Sequence, residues 1–219
     1  DGGVEAARAR FRELPRKPVF PEVRAEDRVI DGVPVRIYGP ADVEPSAPVV
    51  LFFHGGGWVV GDLDTYDGTA RLHAAATGAV VVSVDYRLAP EHPFPAAVDD
   101  VWAVTQWVAA HADEIGGDPN RLAVAGDSAG GNLAAVVAQL ARDAGITLRA
   151  QLLWYPATTW DTSLPSFTEN ADAPVLGRDA VGGFSLLYAT GVDLRNPPAA
   201  LVPARAESLA GLAPAYISV

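Results

Sequence analysis

The sequence predicts an α/β fold, a mostly parallel sheet with helices on both faces and a helical cap. Three observations predict it. Four short apolar runs, 49–53, 79–84, 121–126 and 149–155, read as strands covered on both sides. Segments with apolar residues at helical spacing separate them, and that alternation builds a parallel, doubly covered sheet. Glycine-rich turns, His54-Gly55-Gly56-Gly57-Trp58 and Gly126-Asp127-Ser128-Ala129-Gly130-Gly131, stand where two of the strands should end.

Taken in order, residues 4–14 form a helix with arginines along one side, and 15–21 a proline-rich linker. Residues 1–20 are expected to be the N-terminal part of the cap. Residues 23–30 and 33–38 alternate apolar and polar around Asp31-Gly32, the mark of a hairpin. A loop over 45–48 precedes the strand 49–53. Asp64 or Thr65 is expected to cap a helix running to Thr77. After the strand 79–84, a loop over 85–95 is pinned by prolines. A helix over 96–112 follows, with Val98, Val101, Trp102, Thr105 and Val108 on one side. The strand 121–126 leads through Ser128 into a helix over 132–142. The strand 149–155 closes on Pro156. Residues 21–156 are thus the core. From 157 to 200 the pattern breaks down, leaving one short apolar segment over 181–188, and we read a cap insertion. Residues 201–219 return to the core and end on a strand.

Composition narrows the functions. The chain has 219 residues, 49% of them apolar, which suits one domain with a small inserted cap. Its net charge is −11 and no basic stripe is present, which argues against nucleic acid. No apolar run reaches the length of a membrane span, so no membrane partner is expected. Cysteine is absent, which excludes disulfides and thiolate metal sites; no metal is expected. A cytoplasmic location is the expectation, and a homo-oligomer stays open. Methionine is also absent, and the last five residues read as a buried strand. The chain is therefore expected to be truncated at both ends.

The chemistry centres on Ser128. A serine in G-x-S-x-G, between a buried strand and a helix, sits on a nucleophile elbow. Such a serine needs a base and an oxyanion hole. The three glycines at 55–57 can bring backbone N–H groups close to an oxyanion, and the hole is assigned to the amides of Gly56, Gly57 and Ala129. Trp58 is the best candidate to line a pocket. Phe184 and Tyr188 face either the acyl group or the interior of the cap. Asp127 is expected to fix the turn by hydrogen bonding. Asp85 is expected to pair with Arg87 or a loop amide. Asp161, Asp172, Asp179 and Asp193 are expected to be solvated.

Together, HGGGW at 54–58, DYRLAPEHPFPAA at 85–97 and GDSAGG at 126–131 resemble the hormone-sensitive-lipase-like esterases, bacterial family IV of the α/β-hydrolase superfamily. The resemblance implies a carboxylesterase for short to medium acyl esters, with a Ser-His-Asp triad and no cofactor. Its partner would be a small-molecule ester. The resemblance also implies that the N-terminal helix and the insert after Pro156 together form the cap.

One departure matters. In that family the acid and the histidine follow the serine, whereas His54, His73, His92 and His111 all precede Ser128. His54 is expected to hold the glycine loop and His92 to be structural. His73 and His111 are expected on helices as packing or surface residues. Acid and base are therefore expected beyond Val219. Without those residues, the sheet should show an open edge. Two alternatives remain: a non-catalytic ligand-binding protein, like the plant gibberellin receptors that resemble this family but lack its histidine, or an inactive fragment.

Overall fold

Asp31 and Gly32 both adopt positive φ, 48° and 82°, as a tight two-residue hairpin requires. They join β1 (Arg24–Ile30) to β2 (Val33–Gly39) in antiparallel register. The computed structural model describes residues 2–14, 20–39, 46–194, 197–198, 200–203 and 209–219. The linker expected over 15–21 lies mostly outside them.

Five further strands extend the sheet: β3 (Ala47–Phe53), β4 (Val80–Val84), β5 (Gly117–Asp127), β6 (Leu148–Trp154) and β7 (Ala215–Ser218). Their spatial order is β1-β2-β4-β3-β5-β6-β7. β2 pairs with β4 antiparallel, and every pairing from β4 through β7 is parallel. The parallel pairs need helical crossovers. α2 (Asp67–Thr77) links β3 to β4, α3 (Ala96–His111) links β4 to β5, and α4 (Ala129–Asp143) links β5 to β6.

Alternation along the strands divides the core. Val49, Leu51 and Phe53 join Val80, Val82 and Val84 in a cluster with Val101, Val104 and Val108 of α3 and Leu133 and Val137 of α4. Val50, Phe52 and Val81 face the other way, against Ala70 and Ala74 of α2. Both faces of the central strands are covered, which is why they read as unbroken apolar runs. Among the described residues, no helix is long and apolar enough to cross a membrane.

Three local expectations need correction. Asp64 and Thr65 do not cap α2. The Asp62 amide donates to Thr65 Oγ1 and the Thr65 amide to Asp62 Oδ1, both at 2.8 Å, closing a turn of their own, and the helix starts at Asp67. Asp64 is drawn instead to Arg36, at 2.9 Å. β3 begins at Ala47, inside the expected loop. α4 begins at Ala129, because Gly130 and Gly131 pack into its first turn rather than delaying it.

Beyond β6 the chain forms α5 (Pro165–Glu169) and α6 (Arg178–Tyr188). α1 (Gly3–Glu13) lies against the core without burying any residue fully. β7 forms one edge of the sheet, with Tyr216 61% and Ile217 59% exposed.

Glycine is required where backbones touch. A Cβ at Gly130 would be driven into the Phe53 carbonyl oxygen and lie 2.6 Å from that of His54. Gly182, within α6, has open space around it. Gly130→Ala should therefore cost about 3 kcal/mol or more in urea unfolding. Gly182→Ala should be neutral or add about 0.5–1 kcal/mol. Equal effects at the two positions would contradict this account of the packing.

Candidate active site

The register of the sheet brings the two glycine turns together. β3 and β5 run parallel with Phe53 opposite Gly126, so both turns leave the same end of the sheet side by side. Ser128 is the single residue between β5 and α4, at φ 53° and ψ −114°. A non-glycine residue stays in that sparse region only when its surroundings hold it. Here the Ser128 amide donates to the Trp154 carbonyl at 2.9 Å, and its carbonyl accepts from Asn132 at 3.0 Å and Ala157 at 3.1 Å. Ser128 as a residue is half-buried, and its hydroxyl makes no hydrogen bond among the described residues.

The glycine loop turns its carbonyls inward. Gly56 and Gly57 have φ of 122° and 59°, and the Gly56 carbonyl accepts from Val59 at 3.1 Å and Val60 at 3.0 Å. A Cβ at Gly56 would strike the Val60 carbonyl. The amides of Gly56, Gly57 and Ala129 donate to no acceptor among the described residues. Ala129 is also the first residue of α4, where the helix dipole adds partial positive charge.

Asp127 joins the two turns. Its Oδ1 accepts the Gly55 N–H at 3.0 Å and its Oδ2 the Tyr66 hydroxyl at 2.9 Å. Burial pushes the Asp127 carboxyl up, and these two donors pull it back toward its charged form. Asp127 thus fixes the turn, as its place beside Ser128 suggests. Tyr66 escapes sequence reading, because it lies 61 residues from its partner.

Three of the four histidines are held by other partners, and none of the four meets Ser128. His54 is fully buried and stacks on Tyr86 at 4.3 Å. Its Nδ1–H donates to the Gly55 carbonyl at 2.7 Å, which keeps the loop in place and fixes the tautomer. Burial lowers its pKa to about 4, so it stays neutral. His73 lies between Phe52 and Trp154, at 5.4 and 5.1 Å. His92 is exposed, and His111 bonds the Trp107 carbonyl at 2.9 Å. None of them hydrogen-bonds Ser128.

The aromatic candidates separate. Trp58 and Tyr188 stack face to face at 4.3 Å and are 4% and 0% exposed, so in this structure they offer a ligand almost no surface. Tyr188 also accepts the Phe94 amide through its carbonyl at 2.8 Å, which ties α6 to the core. Phe184, one turn earlier, is half-buried with its ring over Gly57. Asn132, another residue the sequence did not single out, donates to the Ala157 carbonyl at 2.7 Å and the Leu201 carbonyl at 3.0 Å. Asp161, Asp172, Asp179 and Asp193 are all exposed.

Asp85 departs from expectation. Arg87 pairs with Asp100 at 2.7 Å, because α3 presents that buried carboxylate directly to it. The Asp85 carboxylate has no hydrogen bond among the described residues. It borders a cleft of about 480 Å³ with Arg8, Asp62, Tyr86 and Glu91. A second cleft, of about 400 Å³, lies beside Trp160 and Leu194. Ser128 lines neither of them.

The profile of the alpha/beta hydrolase fold matches residues 50–219. The chain belongs to that family. Esterase LipI of Mycobacterium tuberculosis (strain ATCC 25618 / H37Rv) is 59% identical, over all of this chain and 71% of its own length. Carboxylesterase NlhH of M. tuberculosis (strain ATCC 25618 / H37Rv) is 56% identical over 98% of this chain and 70% of its own. The solved structure of DphMB1 shares 77% identity with a TM-score of 0.98, covering all of this chain and 73% of that one. The likeness to the hormone-sensitive-lipase-like branch, read from three motifs, therefore holds. Within this hydrolase fold, Ser128 and the glycine loop occupy the carboxyl ends of parallel strands, where open α/β sheets bind ligands.

Two predictions follow from the geometry. Asp127→Ala should strand two donors and cost about 2–4 kcal/mol of unfolding free energy. Asp127→Asn should cost less, since its amide oxygen still accepts from Gly55. Asp85 tests the charge balance. Burial and the neighbouring Asp62 and Asp64 raise its pKa from 3.8 to about 6. A raised acid penalises the fold only when ionised, so the penalty is absent below about pH 4, grows from pH 4 to 6 and is complete above. Asp85→Asn should stabilise by on the order of 1 kcal/mol at pH 7.5, after allowance for partial exposure, and by almost nothing at pH 3.5. Urea unfolding at both values checks the sign.

Proposed function

We propose that this chain carries the nucleophile and oxyanion hole of a serine carboxylesterase acting on short to medium acyl esters. One observation carries the reading. A serine on a single-residue elbow, its hydroxyl uncommitted, adjoins a glycine loop whose Gly56 and Gly57 amides are also uncommitted among the described residues. The names of the relatives support the same reaction.

In this reading Ser128 Oγ attacks the ester carbonyl and passes its proton to a base. The amides of Gly56, Gly57 and Ala129 donate to the tetrahedral oxyanion. The same proton goes to the departing alcohol, leaving an acyl group on Ser128. Water, deprotonated by the base, then releases the acid. The half-buried Phe184 faces the acyl group, with Trp58 and Tyr188 behind it. Residues 1–20 and 157–200 act as a cap over a core of 21–156 and 201–219, and the stacking of α6 on the glycine loop supports that division.

Base and acid are proposed to come from an Asp and a His beyond Val219. His54, His73 and His111 are each held by other partners and the exposed His92 makes no bond to Ser128, which supports this. The same observation favours a second reading, a non-catalytic ligand-binding protein on this scaffold. Activity separates the two.

The test uses p-nitrophenyl esters of graded acyl length, with protein verified by intact mass. A product extending past Val219 with an Asp and a His should turn over esters, and Ser128→Ala should lower kcat by about 10⁴-fold or more. An organophosphate should label Ser128 alone. Gly57→Val should lower kcat by about 10²–10³. A longer product that binds esters without turnover favours the second reading. Robust, Ser128-dependent turnover by a chain ending at Val219 overturns the external base, and His92→Ala then becomes the next variant.

A further inference from the structure

Phe11 stacks on Tyr66 at 6.3 Å and the exposed Arg12 reaches Asp62 at 3.0 Å, but the most buried tie between α1 and the core is Arg8. The helix's inward residues Val4, Ala7 and Phe11 are only partly buried, so apolar packing grips it weakly. Arg8, by contrast, is 14% exposed and commits every donor it has. Nε donates to the Val59 carbonyl at 2.9 Å, and Nη2 to the Ala89 carbonyl at 3.1 Å. Nη1 and Nη2 reach the two carboxylate oxygens of Glu91 at 2.8 and 2.7 Å, and Nη1 also reaches Glu5 at 3.0 Å. A guanidinium has five N–H donors in a rigid fork, and all of them are used here.

The two carbonyls it holds belong to the support of the glycine loop. Val59 donates its amide to Gly56 at 3.1 Å, and Ala89 donates its amide to Trp58 at 2.8 Å. Arg8 therefore grips one residue directly on the loop's descending limb and one residue that braces Trp58. Segments 30 positions apart converge on one planar group. Neither the Asp127 clamp below the loop nor Phe184 above it restrains those two carbonyls.

We propose that Arg8 is a positioning residue: the docking of α1 through Arg8 sets the orientation of the Gly56 and Gly57 amides. Stated for turnover, this rests on reading those amides as the oxyanion donors. Stated for the loop alone, it does not.

The test uses Arg8→Ala and Arg8→Lys, with Arg10→Ala on the exposed side of the same helix as control. α1 buries no residue fully, so the core should fold in all three and Tm should move little. Exchange of the Val59 and Val60 amides, followed by mass spectrometry or NMR, should quicken about tenfold or more in Arg8→Ala and stay unchanged in Arg10→Ala. In the active product, kcat should fall about 10- to 100-fold with KM within about threefold, since a displaced donor weakens only the transition state. Added guanidinium should restore several-fold of the loss in Arg8→Ala and do nothing for the parent. Arg8→Lys should recover little, because one ammonium cannot hold two carbonyls and a carboxylate.

Unchanged exchange at Val59 and Val60 overturns the proposal. So does unchanged kcat in a product whose Ser128 takes the organophosphate. If exchange quickens but even the parent is neither labelled nor active, the esterase reading fails and the positioning role stands.

Discussion

The carboxylate of Asp127 is the constraint on which the site depends. Two strands that pair in the middle of the sheet end in glycine turns, and each turn would be loose alone. Asp127 accepts from the amide at the start of one turn while belonging to the other. Tyr66 occupies its second oxygen, so that α2's leading edge is drawn into the same bond network. A Cβ at Gly55 would land on this carboxylate, which explains why the first glycine of the three is needed. Ser128's positive φ is then held by the Trp154 carbonyl on its amide and by the Asn132 and Ala157 amides on its carbonyl.

Around that clamp, buried polar groups act as fasteners. His54 is neutral and closes its own loop through Gly55, while the Tyr86 hydroxyl donates to the His54 carbonyl at 2.7 Å. Asn132, in the first turn of α4, gathers the chain leaving β6 at Ala157 and the chain at Leu201. The Tyr86 and Asn132 donors reach carbonyls 25 to 69 residues away in sequence, and such buried donors are costly to leave open. The result is a pair of turns tied together by side chains that come from several segments.

Much of this was legible in the sequence, and the boundary follows range. The hairpin at Asp31-Gly32, the apolar run 49–53 and the elbow at 126–131 are local patterns, and each took the form its pattern required. Asp127's turn-fixing role was legible because its neighbour Ser128 must point away from it. Tyr66, its partner, was not, since no spacing rule connects positions brought together only by the sheet. The same limit explains Arg87. Asp85 is nearer in sequence, yet Asp100 on α3 has the better geometry. Asp64 and Thr65 looked like caps by type, but the Asp62–Thr65 turn and the pull of Arg36 consumed them. Trp58 and Tyr188 were ambiguous because an aromatic ring near a site serves packing and contact equally well. Only coordinates separate the two uses.

The two edges of the sheet formed by these 219 residues differ in a way that bears on handling this chain by itself. β1 presents Arg24, Glu26, Asp27 and Arg28, charges that discourage another strand from pairing there. β7 presents Ala215-Tyr216-Ile217-Ser218, uncharged and largely exposed, with its outer backbone groups unpaired among the described residues. In a preparation of these 219 residues alone, such an edge is a template for a strand of a second molecule. What opposes association is the net charge of −11, a repulsion that acts over roughly 10 Å at 0.1 M salt and about 3 Å at 1 M. Colloidal behaviour is therefore set by ionic strength: dilute buffer keeps molecules apart, and concentrated salt removes the barrier while strengthening the apolar attraction at β7.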